Sequence, residues 1–406
     1  MSPGRTLGIN GLGRIGKLTL WYHLAQSEFD RFVLNPGRAV TLESIAQYLT
    51  KDSTYGSLHR YLCGQKGARD VAVEDRDEGL LRVQGRKIRV LGPSRNPSEL
   101  PWRQYGVRVV VDATGAFLDP AAPPDTEGGS LRGHIHAGAQ AVVVSSPFKS
   151  KHPNFSMPED AITLLHGINH HLYDPRAHRL LSSASCTTTA LAHMMRPLLD
   201  RNLTRSMITA GMSTVHAATN SQPVLDSVPK PGSKDLRKTR SALDNIIITS
   251  TNAAKTLEEV MPEIARIGFM ADSVRVPTST VSLIILNLTF QTDTRADGSP
   301  SIDRDSINAI YREAAEGEAH GLVKYTEEQN VSADIIGEDA AVVIEASETH
   351  TRTGFIDVRL PDRHNARGQT IQIPVTHVKV FGWYDNEMGS YTFRLGELTS
   401  HVARSI

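Results

Sequence analysis

Residues 8–17 read GINGLGRIGK. Gly11, Gly13 and Gly16 make a G-x-G-x-x-G, and the flanking residues make it the strongest constraint on the fold. The apolar run RTLGIN precedes it, and KLTLWYHLAQSEF follows with apolar residues at helical spacing. A second apolar run, RFVLN, ends at Asn35 and is closed by PGR. A strand, a glycine turn, a helix and a second strand form the unit that holds a dinucleotide at a helix N-terminus. The first two glycines let the chain turn tightly and let backbone approach a pyrophosphate. The third lets helix and strand pack closely.

The strand–helix alternation continues. VTLESIAQYL opens on an imperfect capping box, Thr41 to Ser44, with Glu43 in the first turn. RKIRVLG alternates as a strand does, and VRVVVDATG and AVVVSSP are the near-continuous apolar runs of buried parallel strands. Beyond about residue 185 the pattern changes. SMITAGMSTVHA, SVRVPTSTVSLIILNLTFQT, AAVVIEAS and HVKVFGWYD read as longer strands with few helices between them, RDSINAIYREAAEG as a helix, and GSYTFRLGELTSHVARSI as a terminal helix. PDRHNARGQ, between FIDVRL and TIQIPV, reads as a hairpin tip. The expected fold class is α/β: a Rossmann-type parallel-sheet domain plus an α+β catalytic domain with a mostly antiparallel sheet. A chain of 406 residues suits two domains. These are expected at 1–185, completed by the terminal helix 388–406, and at 186–387.

Charge narrows the function classes. The 44 Lys and Arg balance 44 Asp and Glu, so there is no basic excess for nucleic acid or a membrane surface. No run of about 18 apolar residues is present, and the start lacks an apolar signal core. The two cysteines lie far apart and make no disulfide framework, so a reduced, cytoplasmic setting is expected.

One of those cysteines sits in SSASCTTTALAH, residues 182–193. A thiol becomes a nucleophile on ionising, which a helix N-terminus favours. TTTALAHMMRPLLD is a plausible helix behind Cys186, with small residues in its first turn. Cys63, in RYLCGQ, reads as structural. STVHAATN brings His216 to the end of an apolar strand, followed by Thr219 and Asn220. A Cys–His pair is not provable from spacing, and a lone histidine is more often structural. The other histidines lack companions for a zinc site, so no metal is expected.

With these residues in place, the chain resembles the phosphorylating glyceraldehyde-3-phosphate dehydrogenase family. GINGLGRIGK, DSTYG, HGINHHLYDP, SSASCTTTALA, STVHAATNSQ, DLRKTRSALDNIIITSTNAAK, RVPTSTVS and VKVFGWYDNEMG occur in the family's order over nearly the whole length. The erythrose-4-phosphate dehydrogenases share most of them. The resemblance implies that Cys186 attacks an aldehyde as thiolate and that His216 is the base. Hydride then passes to a nicotinamide, and inorganic phosphate releases an acyl phosphate from the thioester. The Cys186 N–H is the implied oxyanion donor. By match, Thr219 and Arg275 bind the substrate's phosphate, while Ser185, Thr187 and Thr251 bind the attacking one, and Asn252 is a further residue expected at the phosphate sites. The implied cofactor residues are Asn10, Gly11, Gly13, Arg14, Ile15, Gly16, Asn35, Thr114, Phe117, Ser145 and Asn386. A homotetramer acting on a small phosphorylated aldehyde is implied. Family variants with another aldehyde, or a non-catalytic binding relative, are the alternatives.

Several positions depart from the family. Pro36 stands where an Asp is usual, and Ser227 and Val228 lie near the usual Leu-Pro. Thr189 replaces an Asn and Asn252 a Gly, and the regions 119–135 and 346–376 are longer. An acid at the second strand's end would bond a ribose 2′-hydroxyl and repel a 2′-phosphate. With Pro36 there, NAD or NADP is expected to serve, NADP being accepted. Arg38 is open to two readings: a partner for the 2′-phosphate, or a solvated loop charge.

Overall fold

The computed structural model describes residues 5–66, 71–150, 152, 155–201, 205–220, 222–229, 231–233, 235–359 and 370–406. The chain divides into two compact units, residues 1–186 with 387–406 and residues 187–386.

The first unit is built on a nine-stranded sheet. Its order is Ala161–Thr163, Leu180–Ser182, Ala141–Val144, Val107–Asp112, Thr6–Asn10, Arg31–Asn35, Arg86–Val90, Leu80–Val83 and Val71–Asp75. The first seven run parallel, as the apolar runs require. The last two add antiparallel pairs that the sequence reading did not identify. Their burial alternates or is partial, so they carry only a weak apolar signal. The glycine turn joins Thr6–Asn10 to the helix Arg14–Ala25. Gly11 has φ +90°, a conformation that side chains resist. A Cβ on Gly16 would overlap the Gly11 carbonyl oxygen, so helix and turn fit only with glycine there. Thr41 caps the helix Leu42–Thr50 by accepting from the Ser44 N–H, as the capping pattern anticipates.

The tips of the strands Thr6–Asn10, Arg31–Asn35 and Val107–Asp112 are tied by a buried polar network. Asn10 donates to Asp112 (2.8 Å) and accepts from Asn35 (2.7 Å). The Trp102 indole donates to His134 Nδ1 (2.9 Å), so His134 Nε2 carries the proton and donates to Asp112 (3.1 Å). These groups sit at the carboxyl end of the parallel strands, where open α/β sheets bind ligands.

The second unit has a sheet of mostly antiparallel pairs, ordered Ile247–Thr249, Gly268–Val276, Met207–Ala217, Ser282–Gln291, Thr370–Tyr384, Val342–Glu345 and Val323–Thr326, with His350–Arg359 beside Thr370–Tyr384. Two pairs are parallel. SVRVPTSTVSLIILNLTFQT is not one strand. It breaks after Val276 because Pro277 has no N–H to donate, and the second strand begins just beyond Val281, which has φ +68°. His350–Arg359 pairs with Thr370–Tyr384 as a hairpin whose expected tip, PDRHNARGQ, lies outside the described residues. RDSINAIYREAAEG forms the helix Arg304–Glu316, opened by a capping box at Asp303. Among the described residues, no helix is long and apolar enough to cross a membrane.

Candidate active site

In the first unit, the helix Arg14–Ala25 starts at Gly13 with no side-chain cap and no acid in its first turn. Nothing lies within 4 Å of a Cβ built on Gly13. An uncapped helix N-terminus with open space over a glycine suits a dinucleotide pyrophosphate, so the cradle fits the cofactor the motif implies. Ile15 packs on the core beneath it. The Arg14 side chain turns elsewhere, to Glu387 (2.7 Å) and Asp52 (3.2 Å), with its guanidinium over the Tyr55 ring. It leaves the backbone N–H as its contribution to the turn. Asn35 is held by Asn10 and by the Ser94 carbonyl (2.9 Å) and accepts from the Gly37 N–H (3.2 Å). Arg38 is exposed, with no hydrogen bond or ion pair among the described residues. Thr114 donates to Asp112 through both N–H (3.0 Å) and hydroxyl (2.6 Å), and the Ser145 N–H donates to the Asp112 carbonyl (3.0 Å). Phe117 packs on Leu131, Val142 and Val144.

The same unit carries Cys186 at the first position of the helix Cys186–Leu199, as the sequence anticipates. It forms no disulfide among the described residues and is partly accessible, next to Ser185. Cys63 likewise forms no disulfide among the described residues and is exposed, with the Gln84 amide donating to its sulfur (2.7 Å).

In the second unit, strand alternation places the side chains. Ala210, Met212, Thr214 and His216 all face inward along Met207–Ala217. His216 is register partner of Arg275 on the neighbouring parallel strand, so the two side chains share a face. His216 Nδ1 lies 2.8 Å from the Ala217 carbonyl, which also accepts from Arg275 (3.1 Å). The Arg275 guanidinium also touches Nδ1. Nδ1 thus lies between a carbonyl, which takes only a donor, and a guanidinium, which takes only an acceptor, so its tautomer decides which of the two it bonds. Burial, reinforced by this charge, lowers the His216 pKa to about 3. Thr219 closes a turn, its N–H donating to Gln222 (3.3 Å). The Thr251 hydroxyl accepts from the Ala253 N–H (3.2 Å), and Asn252 is the N-cap of the helix Ala253–Val260. Asn386 belongs to this unit and accepts from the Ser282 hydroxyl (3.0 Å).

Residues 5–120 match the model of the glyceraldehyde 3-phosphate dehydrogenase NAD binding domain, and residues 185–360 that of the C-terminal domain of the same enzyme. The chain is 33% identical over 403 residues to glyceraldehyde-3-phosphate dehydrogenase 2 of Streptomyces avermitilis, covering 98% of this chain and 99% of that one. It is 34% identical over 394 residues to glyceraldehyde-3-phosphate dehydrogenase 1 of Nostoc sp., covering 97% and 95%. It is 33% identical over 399 residues to the glyceraldehyde-3-phosphate dehydrogenase of Geobacillus stearothermophilus, covering 98% of each. The chain belongs to the glyceraldehyde-3-phosphate dehydrogenase family.

As an oxidoreductase of the glyceraldehyde-3-phosphate dehydrogenase type, the chain holds its inward-facing residues through a side chain the motif reading passed over. Tyr384, fully buried, bonds Thr187 (2.9 Å) and Thr214 (2.8 Å) through its hydroxyl, and its ring meets His216 edge-on at 6.1 Å. Gly382, two residues earlier on the same face, is what lets the helix come close. A Cβ there would meet Met194 Sδ at 2.6 Å. The signal was present in the sequence: WYDNE follows a strand whose alternation runs through Val378, Val380, Gly382 and Tyr384.

Proposed function

We propose that the chain oxidises a phosphorylated aldehyde, glyceraldehyde 3-phosphate in the first instance, to an acyl phosphate through a thioester on Cys186, with NAD or NADP and inorganic phosphate as co-substrates. The observation that carries this reading is His216 in the second unit: buried, with Nδ1 held by the Ala217 carbonyl and Arg275, and set beside Arg275 on paired strands. A neutral imidazole is a proton acceptor, and a guanidinium beside it is a phosphate ligand.

Cys186 attacks the aldehyde carbon, its thiol proton passing to His216 and from there to the aldehyde oxygen, and a thiohemiacetal forms. The Cys186 N–H, at the helix start, steadies the oxygen on which charge develops. Bound at the glycine turn, a nicotinamide dinucleotide supplies the acceptor for the hydride that leaves the thiohemiacetal carbon. The thiohemiacetal hydroxyl gives its proton to His216 as the hydride leaves, and a thioester remains on Cys186. Inorganic phosphate, held by Ser185, Thr187 and Thr251, attacks the thioester carbon and expels the thiolate. The substrate's own phosphate rests on Thr219 and Arg275. Its charge offsets the guanidinium that depresses His216, so the base strengthens when substrate is in place.

A tetramer accompanies this reading. Val224, Leu225 and Val228 are exposed on the loop 222–229, Val228 to 89%, and Ile208, Ile248 and Met270 on three adjacent strands. Apolar surface of this kind marks association sites. A monomer at micromolar concentration in light scattering contradicts it.

Substitution tests the chemistry. Cys186→Ser is expected to abolish oxidation while cofactor binding persists, because the hydroxyl is far less acidic than the thiol. His216→Asn is expected to slow turnover by about two to four orders of magnitude. Near-wild-type rates in either variant overturn the assignment.

A further inference from the structure

The segment entering Cys186 is strained. Ala184, two residues before it, is fully buried and has φ +51°, a left-handed conformation that residues with a Cβ avoid. Local bonds hold it there. The Ala184 N–H donates to the Ser182 hydroxyl (3.1 Å), which donates to the Ser146 carbonyl (2.8 Å), and the Ser183 N–H donates to the Val144 carbonyl (2.9 Å). The Ala184 carbonyl is held from another part of the chain: it accepts from the Tyr391 hydroxyl (3.3 Å).

Tyr391 sits in the π-turn Met388–Thr392, which opens the terminal helix Phe393–Ser405. The Thr392 N–H reaches back to the Glu387 carbonyl (3.3 Å), the i→i+5 bond of a π-turn. The start of the turn is anchored twice. Glu387 is paired with Arg14, and the Met388 N–H donates to the Tyr55 hydroxyl (3.3 Å). Every residue of the turn is buried. A regular α-turn would place Tyr391 about 100° away around the axis and carry its ring off this direction. π-turns of one extra residue cluster at functional sites, where they re-aim a side chain. Burial and the charge of Cys186 push the Tyr391 pKa well above its usual value, so the phenol keeps its proton and remains a donor.

We propose that Tyr391, aimed by the π-turn Met388–Thr392, is a positioning residue for Cys186: its hydroxyl holds the Ala184 carbonyl and with it the left-handed turn that sets the first peptide groups of the helix Cys186–Leu199 around the thiol. The peptide between Ala184 and Ser185 rotates with that carbonyl, so losing the bond lets the first-turn N–H groups swing away from the sulfur. A thiolate so deprived is less stable and less well aimed.

The inference rests on Cys186 being the nucleophile. The test is therefore read on Cys186 labelling, which does not depend on turnover. In Tyr391→Phe the ring stays and only the hydroxyl goes. Iodoacetamide labelling of Cys186, followed by mass spectrometry from pH 5 to 9, is expected to shift its midpoint to higher pH. The kcat is expected to fall by about ten- to a hundredfold with KM within about twofold, and the melting temperature to move little. Ala184→Gly, which removes the resistance to a left-handed residue, is expected to restore part of the loss when combined with Tyr391→Phe. Wild-type labelling and turnover in Tyr391→Phe overturn the proposal. So does a loss that follows a lower melting temperature and is not recovered in the double variant. If instead Cys186→Ser keeps its activity, the reading of Cys186 itself has failed.

Discussion

Gly16→Ala isolates the geometry of the nucleotide turn. The new Cβ would overlap the Gly11 carbonyl oxygen, a backbone atom that no side-chain rotation can move. Relief requires the turn or the helix Arg14–Ala25 to shift by about an ångström. Overpacking of this kind costs about 1–3 kcal/mol, and alanine returns only about 1 kcal/mol through its helix propensity. A net loss of about 1–2 kcal/mol in stability is expected. Displacing the turn also moves the first-turn N–H groups off the pyrophosphate, and a loss of about 1.4 kcal/mol there raises Kd about tenfold. Gly13→Ala is the control. Nothing lies within 4 Å of its Cβ, so the free protein tolerates it, while the methyl group occupies the space a pyrophosphate needs. Urea unfolding and NADH fluorescence titration on both variants separate the effects. Gly16→Ala should lose stability and affinity, and Gly13→Ala affinity alone. Wild-type stability and Kd in Gly16→Ala, or a destabilised Gly13→Ala, refute the reasoning.

Two further outcomes follow from single residues. Pro36 can neither bond a 2′-hydroxyl nor repel a 2′-phosphate, and Arg38 is exposed two residues on. NADP should therefore work within a hundredfold of NAD in kcat/KM. Pro36→Asp should favour NAD, and Arg38→Ala should lower NADP use by roughly five- to thirtyfold; an unchanged ratio in Arg38→Ala makes Arg38 a bystander. His23 is fully buried, neither ring nitrogen has a hydrogen-bond partner among the described residues, and burial lowers its pKa to about 3. Its folded pKa lies below the unfolded value, so its contribution is complete above about pH 6.5 and is lost as pH falls toward 3, at roughly 1.4 kcal/mol per pH unit. Urea unfolding between pH 7 and 5 should show a flatter dependence in His23→Leu, and an unchanged slope rules His23 out.

The legible parts of the molecule were those with a local physical signature. The glycine turn, the buried parallel strands and the capped helices Leu42–Thr50 and Arg304–Glu316 each answer to spacing or capping chemistry that a sequence displays. Cys186 at a helix start was visible for the same reason. The strand pair Val71–Asp75 and Leu80–Val83 was not, because both strands are short and only Leu81 and Val83 in them are buried. The break at Pro277 was available in the sequence but masked by apolar runs on either side. The pairing of His216 with Arg275 depends on the register of two strands about 60 residues apart, which no local pattern records. Tyr384 and Tyr391 act through hydroxyls that reach Thr187, Thr214 and Ala184, contacts set by tertiary packing alone. Arg14 shows the converse. Its place beside the glycines suggested a cofactor contact, and its side chain is committed to Asp52 and Glu387.

The central claim is a thioester on Cys186 that phosphate resolves. The most direct measurement mixes the protein with glyceraldehyde 3-phosphate and an excess of NAD, with and without inorganic phosphate, and follows NADH formation together with the intact mass of the protein. Without phosphate, NADH should stop near one equivalent per chain. The protein should gain the mass of one acyl group, mapped to Cys186 and lost when phosphate is added and turnover resumes. Sustained turnover without phosphate and no adduct on Cys186, or an adduct at Cys63, contradicts the account.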